Sequence, residues 1–217
     1  NVTSDKCYQN NEWIWPYREI DSLGGYDPYS SSKGCSEIVT NAYLQSFVSA
    51  SNGSSTSIEG IASARAGNVI GGGDWHKNNL IASCIISLEN DLPIQLRNPN
   101  AVRPWQHVLD AIFGYIKLGY KISQNPSKYS GAWNFGPNTN LVCSVDEIVG
   151  KLLKYWCKEN WEVSTNDLLH HEANMLQIDS TKAKTELGWE PIWDMEIMIK
   201  MTVEWYKNYK KPDIYKI

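Results

Sequence analysis

Cysteine is scarce in this chain of 217 residues and lacks the spacing of a metal site or a redox pair. The five cysteines are odd in number and none belongs to a CxxC motif, which disfavours both a disulfide framework and a zinc site. The pattern predicts free thiols in a reducing compartment. We therefore expect a cytoplasmic protein without a metal ion.

A basic excess and long apolar runs are also lacking. The formal net charge is −4, whereas proteins that bind nucleic-acid backbones usually present a basic surface. No apolar stretch approaches the roughly 18 residues that a membrane span requires. The first residues, Asn-Val-Thr-Ser-Asp-Lys, lack the basic and apolar regions of a signal peptide. We expect neither nucleic acid nor a membrane as a partner.

What the sequence does contain is an alternation of strand and helix patterns. Asp27-Pro28 predicts the start of a helix that continues to about Ala50, followed by a flexible segment at 49–57. The other predicted elements are strands at 61–65, 68–70 and 132–135 and helices at 80–88, 108–122 and 144–156, then helices from about Asp179 and Asp194. This order predicts an α/β fold.

Tyr29 and Lys33 are four residues apart on the first predicted helix, so they share one face. A nearby ammonium favours the ionised phenol, which can then serve as a general base. One screened surface lysine contributes too little for that, so this chemistry needs a partly buried site and a second positive charge. The alternative is an ordinary pair on a solvated helix face.

Ser4-Asp5-Lys6 follows a short predicted strand at the beginning of the sequence. Open α/β sheets bind their ligands beyond the carboxyl ends of the strands. A hydroxyl, a carboxyl group and an amine at such a place, together with Tyr29 and Lys33, supply the groups of an acid–base site. The alternative is a polar loop start without chemistry.

Residues 65–75, Arg-Ala-Gly-Asn-Val-Ile-Gly-Gly-Gly-Asp-Trp, are the most distinctive run. Consecutive glycines allow close approach to a ligand, and the following helix offers free N–H groups to an anion. A tight turn that needs positive φ explains the glycines equally well. The run is neither a Walker loop nor GxGxxG.

Two arginines lie near a loop-to-helix junction, Arg97 and Arg103. Arginine forks suit a diphosphate, although both could be ordinary surface arginines. His107, in the same region, is interpreted as a structural side chain.

These segments, in this order, resemble the extended short-chain dehydrogenase/reductase superfamily, and within it the nucleotide-sugar 4,6-dehydratases. The specific runs are 65–75 and Arg-Pro-Trp-Gln-His-Val at 103–108, whereas Tyr-x-x-x-Lys marks only the superfamily. The resemblance covers nearly the whole chain, and its other segments are Thr3–Tyr8, Tyr17–Glu19, Gly24–Gly25, Asp27–Ser30, Ser32–Cys35, Arg97–Pro99, Trp133–Pro137, Glu172–Ala173 and Leu187–Trp189.

The resemblance implies NAD as the cofactor and a nucleotide-diphosphate sugar as the substrate, with CDP-glucose expected. It implies that Tyr29 takes the proton of the sugar 4-hydroxyl while a hydride passes from C4 to NAD⁺, and that Lys33 assists Tyr29 and holds the nicotinamide ribose. Water then leaves across C5 and C6, and the hydride returns to C6. Ser4 would bind the 4-oxygen, Asp5 would protonate the leaving 6-hydroxyl, and Lys6 in its neutral form would remove the C5 proton.

By the same resemblance, Asn68 and Arg103 would hold the diphosphate, with Arg97 as a third candidate. In place of the family's usual Asp-Arg-Leu-Ile-Pro-Asp, residues 78–83 are Asn-Asn-Leu-Ile-Ala-Ser. This departure leaves the choice of nucleotide open.

A second departure concerns the cofactor, because the sequence contains no Gly-rich loop for the NAD pyrophosphate. The first βαβαβ half of the fold, on the order of 100 residues, is expected to be missing. We therefore expect the second half of a Rossmann-like, doubly wound parallel sheet with a smaller mixed α/β substrate-binding domain. Residues 1–75 with 129–138 are assigned to the dinucleotide-binding domain and 76–128 with 139–217 to the substrate-binding domain.

Two other functions stay open. A nucleotide-sugar epimerase on the same scaffold would need Tyr29 and Lys33 but not an acid and a base at C5 and C6. A non-catalytic remnant would keep the sugar-nucleotide pocket without the cofactor. As a fragment, the chain is expected to be inactive alone. The resemblance implies a homodimer for the full-length protein, in which the Tyr29–Ala50 helix could take part.

Overall fold

The structure is a computed structural model that describes residues 1–48, 58–138, 142–158, 161–163 and 173–211. The predicted flexible segment 49–57 and Glu172 lie outside the described residues. The strands are β1 (Ala62–Ala66), β2 (Asn68–Ile70), β3 (Ile94–Leu96), β4 (Val102–His107), β5 (Gly131–Phe135), β6 (Val142–Ser144) and β7 (Trp161–Val163). The helices are α1 (Pro28–Tyr43), α2 (Leu80–Glu89), α3 (Val108–Gln124), α4 (Pro126–Tyr129), α5 (Val145–Trp156) and α6 (Met195–Asn208).

Three extended segments lie side by side in parallel and carry the predicted α/β fold. Strand β1 pairs with β5 from Ala62↔Gly131 to Ala66↔Phe135, and on its other side Val2 forms a parallel bridge to Ala64. The chain between Val2 and β1 contains α1, and the longer chain between β1 and β5 contains α3. Parallel strands joined through helices are typical of a doubly wound sheet. The expected α/β class with a parallel sheet is confirmed.

The remaining strands form two small sheets. Strand β2 pairs with β4 in parallel, with Asn68 opposite Trp105, and β4 pairs with β6 in antiparallel orientation. Strand β3 pairs with β7 in parallel. These sheets extend the chain away from β1 and β5 and place residues from β2, β3 and β4 around a shared cavity.

The apolar core is divided into two main clusters. One is centred on β1 and β5 and includes the fully buried Trp133, Phe135 and Trp189. The other joins α2, α5 and α6 to β3 and includes Trp105. Leu118 of α3 packs in the first cluster, although α3 belongs to the range assigned to the substrate-binding domain. The division into two domains stays a prediction.

The observed helix starts agree with the predicted capping residues, whereas the observed length of the first helix differs from the predicted length. Asp27 caps α1, and Ser144 with Glu147 forms the capping box of α5. The first helix is shorter than predicted: α1 ends at Tyr43 and a π-helical turn, Leu44–Val48, follows. The predicted extension to Ala50 runs into residues that the structure does not describe.

Candidate active site

A cavity of about 580 Å³ opens beyond the carboxyl ends of the parallel segments. Its walls come from the residues that follow Val2, from the residues that follow β1, and from the start of α2. Ligands of open α/β sheets bind at this edge. The predicted site residues in its wall are Ser4, Asp5, Lys6, Tyr29, Asn68, Arg97 and Arg103, and further polar residues there are Asp74, Lys77, Asn78, Asn79, Gln95 and Asn98.

Ser4, Asp5 and Lys6 are presented by a tight turn. The Thr3 amide donates to the Ala64 carbonyl at 2.9 Å, which fixes the segment beside β1. A 3₁₀ turn, Asp5–Cys7, then begins, and the Ser4 hydroxyl oxygen accepts from the Lys6 amide at 3.2 Å. The same hydroxyl donates to Asp5 Oδ1 at 2.9 Å. The turn therefore orients all three polar side chains at the end of an extended segment.

The Asp5 carboxyl group is almost completely buried, with 2% of the residue exposed. Its Oδ2 atom has no hydrogen-bond partner among the described residues. Burial raises the pKa of Asp5 to about 6, against the opposing effects of the Ser4 hydrogen bond and the positive charges of Lys6 and Arg103. A carboxyl group in this state can hold a proton close to neutral pH and donate it.

Tyr29 lies at the start of α1, where local sequence fixes the backbone. Asp27 Oδ1 accepts from the amides of Tyr29 and Ser30 at 2.9 and 3.0 Å, and Pro28 occupies the first helical turn without losing a hydrogen bond. A Cβ on Gly25 would lie 2.2 Å from the Ser31 nitrogen. Only glycine fits there, and the chain can turn directly into the helix.

Lys33 and Lys6 bring two amines to the Tyr29 ring. The Lys33 Nζ is 5.6 Å and the Lys6 Nζ is 5.9 Å from the ring centroid. Lys33 comes from the next turn of α1, as predicted. Lys6 comes from the 3₁₀ turn, which together with its N-cap residue Ser4 is called the Ser4–Cys7 turn below. Half of Tyr29 is exposed towards the cavity side. The structure thus brings together the two groups of residues that the sequence separates by more than twenty positions.

The glycines after β2 serve packing more than ligand approach. A Cβ on Gly71 would lie 2.5 Å from Val108 Cγ1, and a Cβ on Gly72 would lie 2.3 Å from Trp205. Gly73 has a φ of +85°, which favours glycine. The interpretation as a turn that needs positive φ therefore explains Gly73, whereas Gly72 and Gly71 are explained by close packing, and Gly71 also lines the cavity.

Arg103 is buried at the edge of the cavity and anchored to the backbone. Its guanidinium donates to the carbonyls of Val102 and Ala173. Arg97 and Asn68 lie in the same wall. His107 is different: its Nδ1 accepts from the Leu109 amide and its ring stacks on Trp193 at 4.1 Å. His107 therefore caps α3, as its structural interpretation predicts.

A buried polar network behind the site was not found from the sequence. Glu37 of α1 and Arg65 of β1 form an ion pair at 2.8 Å, and both are nearly inaccessible. Arg65 also donates to the Tyr8 hydroxyl at 2.8 Å. No signal in the sequence marks the pair, because Glu37 and Arg65 are 28 residues apart and only the fold brings them together.

The residues that the structure describes contain neither a membrane-spanning helix nor a cluster of metal-binding side chains. In those ranges, no helix has the length and apolarity to cross a membrane. The same ranges contain no group of three or more His, Cys, Asp or Glu side chains placed to hold a metal ion.

The fold and the cavity define an α/β protein with a Tyr-Lys helix at the carboxyl edge of parallel strands. The chain belongs to the family described as GDP-mannose 4,6 dehydratase, which matches residues 1–202. It is 44% identical over 209 residues to CDP-glucose 4,6-dehydratase of Salmonella typhimurium, covering 96% of this chain and 58% of that protein. The resemblance to nucleotide-sugar dehydratases is confirmed.

Solved structures have the same fold at lower sequence identity. A dTDP-glucose 4,6-dehydratase from Bacillus anthracis in complex with NAD has a TM-score of 0.76 and 21% identity, over 96% of this chain and 61% of that one. A UDP-glucuronic acid 4-epimerase from Bacillus cereus, in complex with UDP-glucuronic acid and NAD, has a TM-score of 0.78 and 17% identity, over 96% and 60%. The chain spans about three fifths of the length of these relatives.

Proposed function

We propose that the protein is an NAD-dependent nucleotide-sugar 4,6-dehydratase, a hydro-lyase that converts CDP-glucose to CDP-4-keto-6-deoxyglucose and water. The observation that carries the proposal is that one cavity gathers Ser4, Asp5 and Lys6 with Tyr29. The 44% identity to a CDP-glucose 4,6-dehydratase supports the substrate. Because the chain spans 58% of that relative, the proposal concerns the product of the full coding sequence.

Tyr29 and Lys33 fit the ribose of a nicotinamide cofactor. Among the described residues, neither the Tyr29 hydroxyl nor the Lys33 ammonium has a hydrogen-bond partner, so both remain available to hydroxyl groups of a ligand. NAD⁺ bound there would supply a hydride acceptor for the sugar C4 and a hydride donor for C6. The chain's own residues would move the protons.

The first proton leaves the sugar 4-hydroxyl. Tyr29, as phenolate, would accept it, and the Lys33 ammonium, 5.6 Å from its ring centroid, would stabilise the negative charge. The Ser4 hydroxyl would hold the 4-oxygen in place. A 4-ketone results, and the ketone makes the neighbouring C5–H bond acidic.

Elimination across C5 and C6 then needs a base and an acid. Lys6, as the free amine, would remove the C5 proton, while Asp5 would give its proton to the departing 6-hydroxyl. The raised pKa of Asp5, about 6, suits a carboxyl group that must carry a proton near neutral pH. Its Oδ2 has no hydrogen-bond partner among the described residues, so no protein group there competes for a hydrogen bond with the leaving group.

Asn68, Arg97 and Arg103 would hold the nucleotide diphosphate. All three line the cavity, and the backbone carbonyls that accept from Arg103 fix the orientation of its guanidinium. Asn79, Leu80 and Ile81 at the start of α2 also line the cavity. A helix N-terminus favours an anion.

The test uses the protein expressed from its full coding sequence, with NAD⁺ and CDP-glucose. The 4-keto product is measured by its absorbance in alkali, beside parallel reactions with dTDP-glucose, UDP-glucose and GDP-mannose. We expect CDP-glucose to give the largest kcat/KM. A larger kcat/KM with another nucleotide sugar would reject the CDP assignment and keep the dehydratase.

A Tyr29→Phe variant tests the proton acceptor. We expect kcat to fall by about 10²–10⁴-fold, the usual contribution of general acid–base catalysis, with little change in KM. Tyr120→Phe is the matched control, because Tyr120 is exposed on α3, away from the cavity. Equal kcat values for Tyr29→Phe and Tyr120→Phe would remove Tyr29 from the mechanism.

Asp5→Asn and Lys6→Met separate the dehydratase from its alternatives. Both should abolish release of water, whereas an epimerase would retain turnover of its nucleotide sugar in both variants. The epimerase alternative has support in the fold shared with the Bacillus cereus enzyme. For a non-catalytic binding module, calorimetry would show CDP-glucose binding that is indifferent to NAD⁺ and no keto product.

We also propose a homodimer. Helix α1 exposes a row of apolar side chains, Ile38, Val39 and Tyr43, which continues into Phe47 of the following turn. Contiguous exposed apolar surface of this kind usually marks an interface. A second copy of the chain, presenting the same row, is the partner we propose.

A further inference from the structure

The Ser4–Cys7 turn is flanked by two residues that reach the same buried ion pair. Before the turn, the Thr3 hydroxyl donates to Glu37 Oε1. After the turn, the Tyr8 hydroxyl accepts from Arg65 Nη1 at 2.8 Å. Glu37 and Arg65 are joined at 2.8 Å. The pair therefore holds both ends of the segment that carries Ser4, Asp5 and Lys6.

Glu37 also belongs to the helix that carries Tyr29 and Lys33. The three residues follow one another at intervals of four, so they lie along one side of α1. Tyr29 and Lys33 are at the cavity end of that side, while Glu37 is buried two turns further along, with 3% of the residue exposed. A carboxylate fixed at this point sets the rotation of α1 about its axis and the direction in which Tyr29 projects.

Most polar atoms of the ion pair are hydrogen-bonded, whereas the buried Arg65 Nε has no hydrogen-bond partner among the described residues. Burial alone would raise the pKa of Glu37, yet the hydrogen bonds from Arg65 and Thr3 and the Arg65 charge hold it below the ordinary value. Arg65 additionally donates to the Glu19 carbonyl, and the Tyr8 hydroxyl donates to Asn134 Oδ1 at 2.7 Å. The network thus ties α1, β1 and β5 to the turn.

A buried ion pair is weak evidence of stabilisation by itself, because desolvation offsets much of its attraction. The pair instead fixes relative positions. Glu37 belongs to α1, which carries the proton acceptor Tyr29, and it accepts a hydrogen bond from Thr3, which directly precedes the turn with Asp5 and Lys6. Reactions that use several groups in sequence depend on their relative placement, and an error of about 1 Å can cost roughly 10²-fold in rate.

We propose that Glu37, Arg65 and Thr3 are positioning residues. They hold the Ser4–Cys7 turn, which carries Asp5 and Lys6, at a fixed distance and orientation relative to Tyr29 and Lys33. The inference rests on the proposed function, since it assigns these buried residues to the same reaction. It predicts that loosening the link from Thr3 to Glu37 slows catalysis without weakening substrate binding.

Thr3→Val is the sharpest test, because it removes the hydroxyl and keeps the shape and the Glu37–Arg65 pair. In the protein expressed from its full coding sequence, we expect kcat to fall by about 10- to 100-fold and KM to stay within about twofold. Thr3→Ser restores the hydroxyl and should restore most of the lost kcat. Glu37→Gln, which leaves Arg65 without its counter-charge, should lower both kcat and thermal stability.

Thr202→Val is the matched control. Thr202 is a buried threonine of α6 whose hydroxyl donates to the Met198 carbonyl at 2.8 Å, so the same chemical change is made in an element outside the Glu37–Arg65 network. We expect a lower melting temperature and an unchanged kcat. If Thr3→Val behaves like Thr202→Val, the Thr3 link is structural only and the proposal is overturned.

A second measurement separates this proposal from the proposed function. Hydrogen exchange of the amides of residues 4–8 is followed without substrate or cofactor in Thr3→Val, Thr3→Ser and the unsubstituted protein. We expect faster exchange in Thr3→Val alone. If the unsubstituted protein dehydrates no nucleotide sugar, the proposed function fails, while faster exchange in Thr3→Val still supports the positioning role and unchanged exchange rejects it.

Discussion

Asp5 occupies a position where the fold opposes ionisation of its carboxyl group. The side chain ends an extended segment beside β1, and the protein covers it almost completely. Burial raises its pKa from 3.8 to about 6. The group therefore binds its proton more tightly in the folded protein than in the unfolded chain, and this difference has a consequence for stability that is independent of catalysis.

The free energy of unfolding should fall as pH rises through the window from 3.8 to about 6, because the native state binds more protons than the unfolded state there. Asp5→Asn cannot ionise. Its unfolding free energy relative to the unsubstituted protein should therefore increase by about 2–3 kcal/mol between pH of about 4 and about 7. Urea unfolding at a series of pH values measures the change.

Glu59→Gln provides the control for this pH series, since Glu59 is an exposed carboxylate. The same acid-to-amide change there should leave the difference in unfolding free energy flat with pH. A flat profile for Asp5→Asn would mean that Asp5 is not held in the buried state that the structure shows.

For individual residues, the sequence indicates which side chains have suitable chemistry, and the structure shows which of them lie close together. The residues Ser4, Asp5, Lys6, Tyr29 and Lys33 were nominated from their chemistry and from the resemblance. Ser4, Asp5, Lys6 and Tyr29 line one cavity, and Lys33 lies outside its lining with its amine 5.6 Å from the Tyr29 ring centroid. Glu37 could not be nominated, because a glutamate within a helix usually faces water. Its role depends on Thr3 and Arg65, which reach it from other parts of the chain. The roles of all these residues stay proposals.

Among the helices, the ends could be predicted from sequence, while the buried faces were harder to predict. Asp27, Ser144 with Glu147, and Asp194 all cap helices as predicted, since a cap is a local hydrogen-bond pattern. Ile197, Met198, Met201 and Trp205 recur at near-helical spacing in the sequence of α6 and predict its packed face. That face is wrong for Ile197 and Met201, which are exposed, whereas Ile199, Thr202 and Val203 are buried. Apolar residues surround α6, so periodicity alone does not select the packed side.

Helix α3 offers an element-scale test, because two of its glycines are in opposite environments. A Cβ on Gly114 would lie 2.4 Å from Phe135 Cδ1, while a Cβ on Gly119 would meet nothing within 4 Å. Gly114→Ala should therefore destabilise the protein by about 1–3 kcal/mol through overpacking. Gly119→Ala should stabilise it by about 0.5–1 kcal/mol through helix propensity.

Chemical unfolding of both variants measures these changes. Each substitution adds one methyl group to the same helix, so each is a control for the other. Stabilisation by Gly114→Ala would show that α3 is not packed closely against β5, and with it the placement of the first core cluster would be wrong.

For the whole molecule, the order of elements predicted the α/β class, but the pairing of distant strands required the fold. Strand β3 pairs with β7 across more than sixty residues, with Gln95 opposite Glu162. No local signal in the sequence marks that pairing. The chain has 10 tryptophans, and no local signal indicates that Trp105 packs in one core cluster while Trp133 and Trp189 pack in the other.

The exposed apolar row on α1 allows a test of the proposed homodimer. Ile38→Glu and Val39→Glu each introduce a charge into the proposed interface between two copies, where an unpaired charge is costly to bury. We expect the unsubstituted protein to sediment as a dimer at micromolar concentration and the two variants to shift towards monomer. Sedimentation velocity over a dilution series gives the dissociation constants.

Ile192→Glu is the matched control, because Ile192 is also an exposed isoleucine but lies in the loop before α6. Its dimer should dissociate as the unsubstituted one does, since the charge is added away from α1. Circular dichroism confirms that all three variants fold. A charge on an already exposed side chain has little effect on the stability of an isolated chain. Loss of the dimer in the two α1 variants alone would therefore assign the row to the interface. Dimers of equal strength in all three variants would exclude α1 from it.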